Sequence, residues 1–507
     1  MYLKVIIVSF VVLLLGALIG FLAFPLLFKE LVKRSVNLKP GSETRQLWEK
    51  MPFPLTFKIY VFNVTNAQDI EMGGKPKLQE VGPFVYDEWK DKYELMDIEA
   101  ENAISFNMRN TFQTRADLGL SGEELITMPH PLLQVSQKQK LFLTRSTRAE
   151  TQAAVALGLD IIFKPQSAFI TAKFKDLFYD GIDVNCDQKH AAAQAICQQF
   201  QAGAVPGALP VNATHYKFSL MGAASQLDMP SGNHTNAGHF KVSRSRSRQS
   251  SVGRVLAFNE AKQLHIWPEL NNTSCNRLRG TDGTIFAPLM RPEQGLWSFS
   301  PQLCRSLTPK WMGRTKYNKL PAQRYELNFG SARFFQTEPD LHCYCTDYPD
   351  DCPADGTMDL VRCSGTPLMA SLPHFYHADQ KLLAEVEGLQ PTAVKHASIL
   401  IFEQFSGTVL AVHNRLQFSL KVAPVKDVPL MSQLRPLAMP LFWIEESLQL
   451  DEKITQLLHK KIFAVLNANN WFRWLSIGLG SFGCILGALF LHLTRSDAKR
   501  VGVVEAE

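Results

Sequence analysis

Two apolar runs near the ends of the chain limit its fold more than anything between them. Val5–Phe28 carries 24 residues without a charge, VIIVSFVVLLLGALIGFLAFPLLF. About 20 apolar residues in a helix cross a ~30 Å hydrocarbon core. A cleavable signal peptide usually has an apolar core of only ~7–15 residues ending at small side chains. This run is longer and ends in bulky residues, which favours a retained span. Trp474–Thr494 is a second uncharged run, between Arg473 and Arg495, and Trp471 and Trp474 stand where indole rings favour a membrane interface. The expected order is a short terminus at 1–4, a span at 5–28, one block at 29–473, a span at 474–494 and a tail at 495–507.

Flanking charges leave the side of the block open. Lys4 precedes the first run and Lys29, Lys33 and Arg34 follow it, while Arg495, Lys499 and Arg500 follow the second. Cysteines and sequons decide instead. Eight of nine cysteines lie in the block, as do N-x-S/T sequons at Asn63, Asn212, Asn233, Asn271 and Asn272. Paired cysteines with glycosylation acceptors imply an extracellular or lumenal block, so both termini are expected to be cytoplasmic. A net charge of +6 over 507 residues gives no reason to expect a nucleic-acid partner. The Arg-Ser tract at Ser243–Ser251 reads as a solvated loop, or a basic patch facing an anionic partner.

No repeat or long linker divides the block, which reads as one large α+β ectodomain. Thr56–Asn66, Lys77–Trp89 (with a Gly-Pro break) and Ala397–Val422 (with a Ser406-Gly407 turn) are rich in β-branched and aromatic residues. Strands so far apart in sequence suit a large antiparallel sheet closed into a barrel or sandwich. The middle differs. Thr147–Glu150 has a capping-box pattern before an alanine-rich segment that runs to Pro165. Ser167 is placed to cap a second helix, with Ile170, Phe174, Leu177 and Phe178 at helical spacing, and a third runs from about Ala191 to Phe200. Three short helices would form a helical subdomain over about 147–201.

The cysteines at 275–363 are dense. Structural zinc sites favour C-x2–4-C pairs in two sets, whereas here only Cys343 and Cys345 are close in sequence. Outside the cytosol disulfides are the favoured reading. Six cysteines allow 15 pairings, and spacing excludes only the tight Cys343–Cys345 ring. His342, His374 and His377 read as ordinary surface or core residues. Cys186 and Cys197 stand apart and are expected to pair. In one continuous helix they would lie ~16 Å apart at 1.5 Å rise, but a bridge needs Cα atoms within ~7 Å. Residues 187–190 should therefore loop back.

The order of these six cysteines resembles the class B scavenger receptor family. So do the two terminal runs, FKIYVFNVTN (57–66), QEVGPFVYDEW (79–89), GTDGTIFAP (280–288), LWSFSPQLCRSL (296–307) and PLMASLPHFY (367–376). Within that family the chain is most similar to the insect sensory neuron membrane proteins, subgroup one. The cues are LKPGSETRQLWEKMPFP (38–54), VGPFVYDEWKDKYEL (81–95) and the extra cysteine pair within 177–197. The resemblance implies bridges Cys275–Cys343, Cys304–Cys363 and Cys345–Cys352. It also implies an antiparallel β-barrel-like core with a helical apex and an internal hydrophobic tunnel. Its members capture lipids or lipid carriers at the apex and pass the lipid to the membrane. The sensory ones deliver fatty pheromones to an odorant receptor complex in neuronal cilia.

Other motifs contribute less. GLGSFG at 478–483 matches a dinucleotide fingerprint but lies inside the second span, so no cofactor is expected. Gly16 with Gly20, and Gly483 with Gly487, have the G-x-x-x-G spacing that lets membrane helices approach closely. No metalloprotease, nucleophile-elbow or Walker pattern occurs, so an enzyme is not expected. At the apex, Phe163, Lys164, Lys173 and Lys175 are candidate capture residues. Lys164 before Pro165 is the one placed to attract a carboxylate or an acidic carrier protein. The expected function is a plasma-membrane receptor or co-receptor for hydrophobic odorants or pheromones, in contact with membrane lipids and possible carriers. A general scavenger receptor for fatty acids, sterols or carotenoids is the alternative, and an ecto-enzyme a weaker one.

Overall fold

The computed structural model describes residues 2–132, 149–165, 167–205, 207–221, 234–245, 251–268, 274–332, 339–345, 352–364, 367–424 and 429–504. At its centre is one antiparallel sheet of 12 strands. In chain order these are β1 (Leu55–Val64), β2 (Leu78–Ile98), β3 (Ala103–Thr114), β4 (His234–Ser243), β5 (Val255–Phe258) and β6 (Lys310–Tyr317). They continue with β7 (Leu320–Glu326), β8 (Thr357–Asp359), β9 (Leu368–Ser371), β10 (Ile399–Glu403), β11 (Thr408–Val422) and β12 (Leu437–Gln449). Neighbours run β5-β4-β3-β2-β1-β12-β11-β10-β7-β6. The second half of β11 also pairs with β9, which pairs with β8.

Most strands follow the sequence signals. In β1, buried and half-buried residues nearly alternate, as period-two patterning requires. The turn at Ser406-Gly407 joins β10 to β11, with Gly407 at φ +80°. The Gly82-Pro83 break does not end a strand, because β2 runs through it and the β1–β2 register shifts there instead. The barrel expectation meets an open sheet among the described residues: β5 and β6 are left as its two edges. Edge strand β6 carries Lys310, Arg314 and Lys316 on a largely exposed surface and a register shift at Trp311/Gly313. Cations and bulges are common devices that keep an edge from pairing further.

The expected second apex helix is not formed. Phe169–Lys173 is a strand paired with Leu125–Pro129, followed by a π-helical turn at Asp176–Asp180 and a strand at Ile182–Asn185. Ile170 and Thr171 are β-branched, and a partner strand was at hand, so tertiary pairing outweighed the helical spacing. Helices do form at Ala149–Phe163 and Ala191–Gln201. They pack closely enough that a Cβ on Gly158 would lie 2.5 Å from the Ala192 carbonyl oxygen. Thr147 lies outside the described residues.

Four disulfides close in the ectodomain: Cys186–Cys197, Cys275–Cys343, Cys304–Cys363 and Cys345–Cys352, with Cα separations of 5.5, 6.0, 5.6 and 4.3 Å. Residues 186–189 are irregular before the helix begins at Ala191, which brings Cys197 back to Cys186. Cys275, Cys304, Cys343 and Cys363 share an apolar cluster with Trp48, Phe106, Phe240 and Trp267. Trp267 Nε1 donates to the Cys304 carbonyl at 2.8 Å.

Both terminal runs are helical and longer than the uncharged stretches, at Tyr2–Ser35 and Glu452–Ser496. They lie antiparallel against each other. Ideal Cβ atoms on Gly16 and Gly20 would fall 2.2 and 2.3 Å from Ser476 and Arg473 side-chain atoms, and those on Gly483 and Gly487 2.2 and 2.6 Å from Ser9 and Ile6. Gly480, which the sequence reading passed over, sits equally close to Leu13. Where the first uncharged stretch ends and beyond it, Phe28 and Val32 pack with Ile462, Phe463 and Leu450. Leucine at Gly16 and Gly483 is expected to separate the helices. Cross-linking between cysteines introduced at Leu13 and Gly480 should fall severalfold in that background, and an unchanged yield would count against glycine-dependent contact.

Candidate ligand cavity

Register places one set of side chains on a common face of the sheet. Phe57 opposes Tyr86 and Glu446, Leu55 opposes Glu88, Lys90 opposes Asn110, Lys92 opposes Met108, and Asn414 opposes Glu446. A cavity of about 300 Å³ opens over this face. Leu55, Met108, Phe240, Phe299, Leu416 and Leu448 supply much of its apolar wall, and Lys90, Asn110, Asp282 and Glu446 its principal polar groups. The cavity is bounded below by residues of the cysteine-dense region, including Asp282, Ser298 and Leu303.

The inner face of β2 is unusual. Tyr86, Glu88, Lys90 and Lys92 alternate along it, and three of the four are charged types taken out of water. Lys90 Nζ lies 2.7 Å from Glu446 Oε1 and 3.9 Å from Glu88 Oε1. Lys92 Nζ donates to the Trp48 carbonyl at 2.9 Å and sits 4.7 Å from the centre of that residue's indole. Glu88 is 2% exposed. Burial pushes its carboxyl up to about 8, with Lys90 opposing. Burial also pulls the Lys92 ammonium down to about 8. Burial opposes the charge on Lys90 as well, but Glu446 and Glu88 outweigh it and raise that pKa. The signal for this ladder was present in EWKDK, where charges at alternate positions continue a strand's buried face.

A second polar cluster lies elsewhere in the sheet. Glu80 Oε2 accepts from Trp443 Nε1 at 2.8 Å and pairs with His374 Nε2 at 2.6 Å, and His374 stacks on His396 at 4.2 Å. Three such groups within ligand reach of one another invite a metal reading. The hydrogen bonds oppose it. His374 Nδ1 accepts from Gln390 N and His396 Nδ1 from Thr392 N. Each neutral ring therefore carries its proton on Nε2, the nitrogen a shared metal would need. Burial works against the Glu80 charge, yet the bonds from His374 and Trp443 hold its carboxyl below the usual range. Burial lowers the His396 imidazole to about 4.

The apex candidates separate into three kinds. Phe163 is half-buried and packs against the His130 ring at 5.1 Å. Lys173 and Lys175 both pair with Glu123, so both cations are engaged and one of their two charges is offset. Lys164 is exposed at the end of its helix with φ +44°, and no ion pair holds it among the described residues. Among the sequons, Asn212 is exposed on a turn, while Asn63 is half-buried on β1, its Oδ1 accepting from Thr127 N at 2.8 Å. Asn233, Asn271 and Asn272 lie outside the described residues, as does most of the Arg-Ser tract.

The model of the CD36 family matches residues 7–491. The chain belongs to the CD36 family. Sensory neuron membrane protein 1 of Anopheles gambiae is 38% identical to it over 99% of this chain and 90% of its own length. The protein of the same name from Aedes aegypti is 38% identical over 94% and 84%, and that of Apis mellifera 36% over 93% and 87%. The chain is thus a membrane receptor of this type, with two terminal apolar helices around a large mixed ectodomain.

The raised Glu88 pKa predicts a pH signature. An unfolded Glu88 releases its proton near its ordinary 4.5, whereas the folded one holds it up to about 8. Between these values the folded state binds more protons, so stability falls as pH rises through that window. Glu88→Gln removes this slope. The Tm of the wild-type chain in detergent should drop more from pH 5 to pH 8 than that of the variant; parallel curves would show that Glu88 ionises normally.

Proposed function

We propose that this receptor captures hydrophobic odorant or pheromone molecules and passes them through the ectodomain cavity to the membrane or to an odorant receptor complex. The observation that carries the reading is the cavity itself, walled mainly by apolar side chains in a chain tethered by helices at both ends. Apolar burial would supply affinity without covalent chemistry. The sensory-neuron name of its relatives supports detection as the setting. In this reading the ectodomain faces outside, both termini are cytoplasmic, and the protein resides in the cilia or dendrites of olfactory neurons. A tunnel continuing from the cavity to the bilayer belongs to the same proposal, as does glycosylation at the exposed Asn212. Family membership alone equally supports uptake of fatty acids, sterols or carotenoids, and expression in gut or fat body rather than antenna would favour that alternative.

Lys164 is the capture residue this reading retains, because Lys173 and Lys175 are engaged by Glu123. A soluble acidic odorant carrier would be drawn to it by electrostatic steering. Calcium imaging of cells expressing a candidate odorant receptor tests the proposal. Co-expression of this chain should lower the ligand concentration for a half-maximal response, and Lys164→Glu should reverse part of that gain. An unchanged response with and without the chain would overturn the co-receptor role.

A further inference from the structure

The cavity's polar groups are unevenly committed, and the inference that follows rests on reading the cavity as a ligand site. We propose that it selects long-chain ligands ending in a neutral hydroxyl over those ending in a carboxylate. The lining holds one cation, Lys90, and two carboxylates, Asp282 and Glu446. Lys90 is already engaged by Glu446 at 2.7 Å, with Glu88 on its other side at 3.9 Å. Asp282 reaches in from a turn. Its Oδ1 accepts from Thr284 N at 3.0 Å and Thr284 Oγ1 at 2.8 Å, while its Oδ2 is buried and makes no hydrogen bond among the described residues. Asn110 Oδ1 is a second such atom, although an amide can turn to offer either its oxygen or its nitrogen.

What Asp282 leaves free at the cavity wall is therefore accepting capacity. A ligand hydroxyl brings a donor, and a hydrogen bond to an ionised acceptor is among the stronger kinds. A ligand carboxylate brings a further anion beside Asp282 and Glu446, where the single lining cation is already paired. In a site of low dielectric that repulsion is barely screened. A carboxylate could escape it only by taking up a proton, which at neutral pH is also unfavourable. An ester offers neither donor nor charge, so it should fall between the two.

The test is displacement of a fluorescent fatty probe from the full chain in lipid nanodiscs at neutral pH. The competitors are an alcohol, a methyl ester and a carboxylate of one chain length. The alcohol is expected to displace at a concentration at least about tenfold below the carboxylate, the ester in between. Asp282→Asn keeps an oxygen for Thr284 but puts an amide donor where the free oxygen stood. It should bring alcohol and carboxylate within about threefold of each other. A carboxylate that binds as well as the alcohol in the wild-type chain would overturn the selection, and so would a folded D282N that leaves the ratio unchanged. Should none of the three displace the probe, the cavity reading itself falls, which is a different result from binding without preference. The wild-type series stands even where D282N fails to fold.

Discussion

The antiparallel packing of the two terminal helices constrains everything above them. Because Gly16, Gly20, Gly480, Gly483 and Gly487 let the backbones approach, both ends of the ectodomain leave the membrane at one place. The first long strand then starts beside the end of the last. β1 and β12 pair from Thr56↔Ser447 to Val61↔Phe442, and they occupy the middle of the sheet rather than its edges. Such a pairing spans nearly the whole chain and carries a large loop-closure entropy. Membrane helices that associate first would shorten the effective loop, so the anchor and the sheet support each other. The small cluster of Phe28, Val32, Leu450, Ile462 and Phe463 is where the two meet.

Adjacent residues of β12 put charge on both faces of this central seam. Glu446 faces the cavity and meets Lys90. Glu445 faces the other way, 2.5 Å from Arg415 Nε on β11 and 3.1 Å from Lys58 on β1. Burial works against the Glu445 charge, but His413, Arg415 and Lys58 hold its carboxyl down to about 2. Buried pairs seldom add net stability, because desolvation offsets attraction. Their cost falls instead on alternative registers. A one-residue slip of β12 against β1 or β11 would exchange Glu445 and Glu446 between faces and strand both sets of cations. Charge here specifies which strands meet and in what phase.

Much of the fold was legible, for identifiable reasons. The strand signals in 56–66 and 397–422 survive because β-branched, alternating segments have few other ways to bury one face. The Cys186–Cys197 loop followed from the reach of a disulfide against the rise of a helix. The segment after Ser167 misled because Ile170, Phe174, Leu177 and Phe178 are spaced for a helix, yet Ile170 lies half-buried on a strand and the buried Phe174, Leu177 and Phe178 follow it at and just before a π turn. Only the pairing with Leu125–Pro129, far off in sequence, distinguishes the two. The charged face of β2 was legible in principle, since period two continues through Glu88, Lys90 and Lys92. It was hidden because three charges in a strand ordinarily read as its solvent side. Lys173 and Lys175 looked like free cations for the complementary reason: Glu123 meets them only in three dimensions.

The cysteine-dense region also acts on the cavity, through one turn. Asp282 lies in GTDGTIFAP, and its position depends on the residue two before it. Gly280 adopts φ +80° with its α-carbon against the backbone of Trp297, so close that a Cβ would stand 1.8 Å from the Trp297 carbonyl oxygen. No other residue fits that approach without moving one of the two segments. Val255 N and Thr281 N then bond to the carbonyls of Gly280 and Trp297, which fastens the turn to both β5 and the 297 segment. Cys275 and Cys304 flank these residues and are tied to Cys343 and Cys363. The covalent staples thus hold the loop, the glycine sets its path, and the path delivers one carboxylate to the cavity wall. A covalent framework far from the membrane in sequence thereby fixes the polar character of the space enclosed by strands from both ends of the chain.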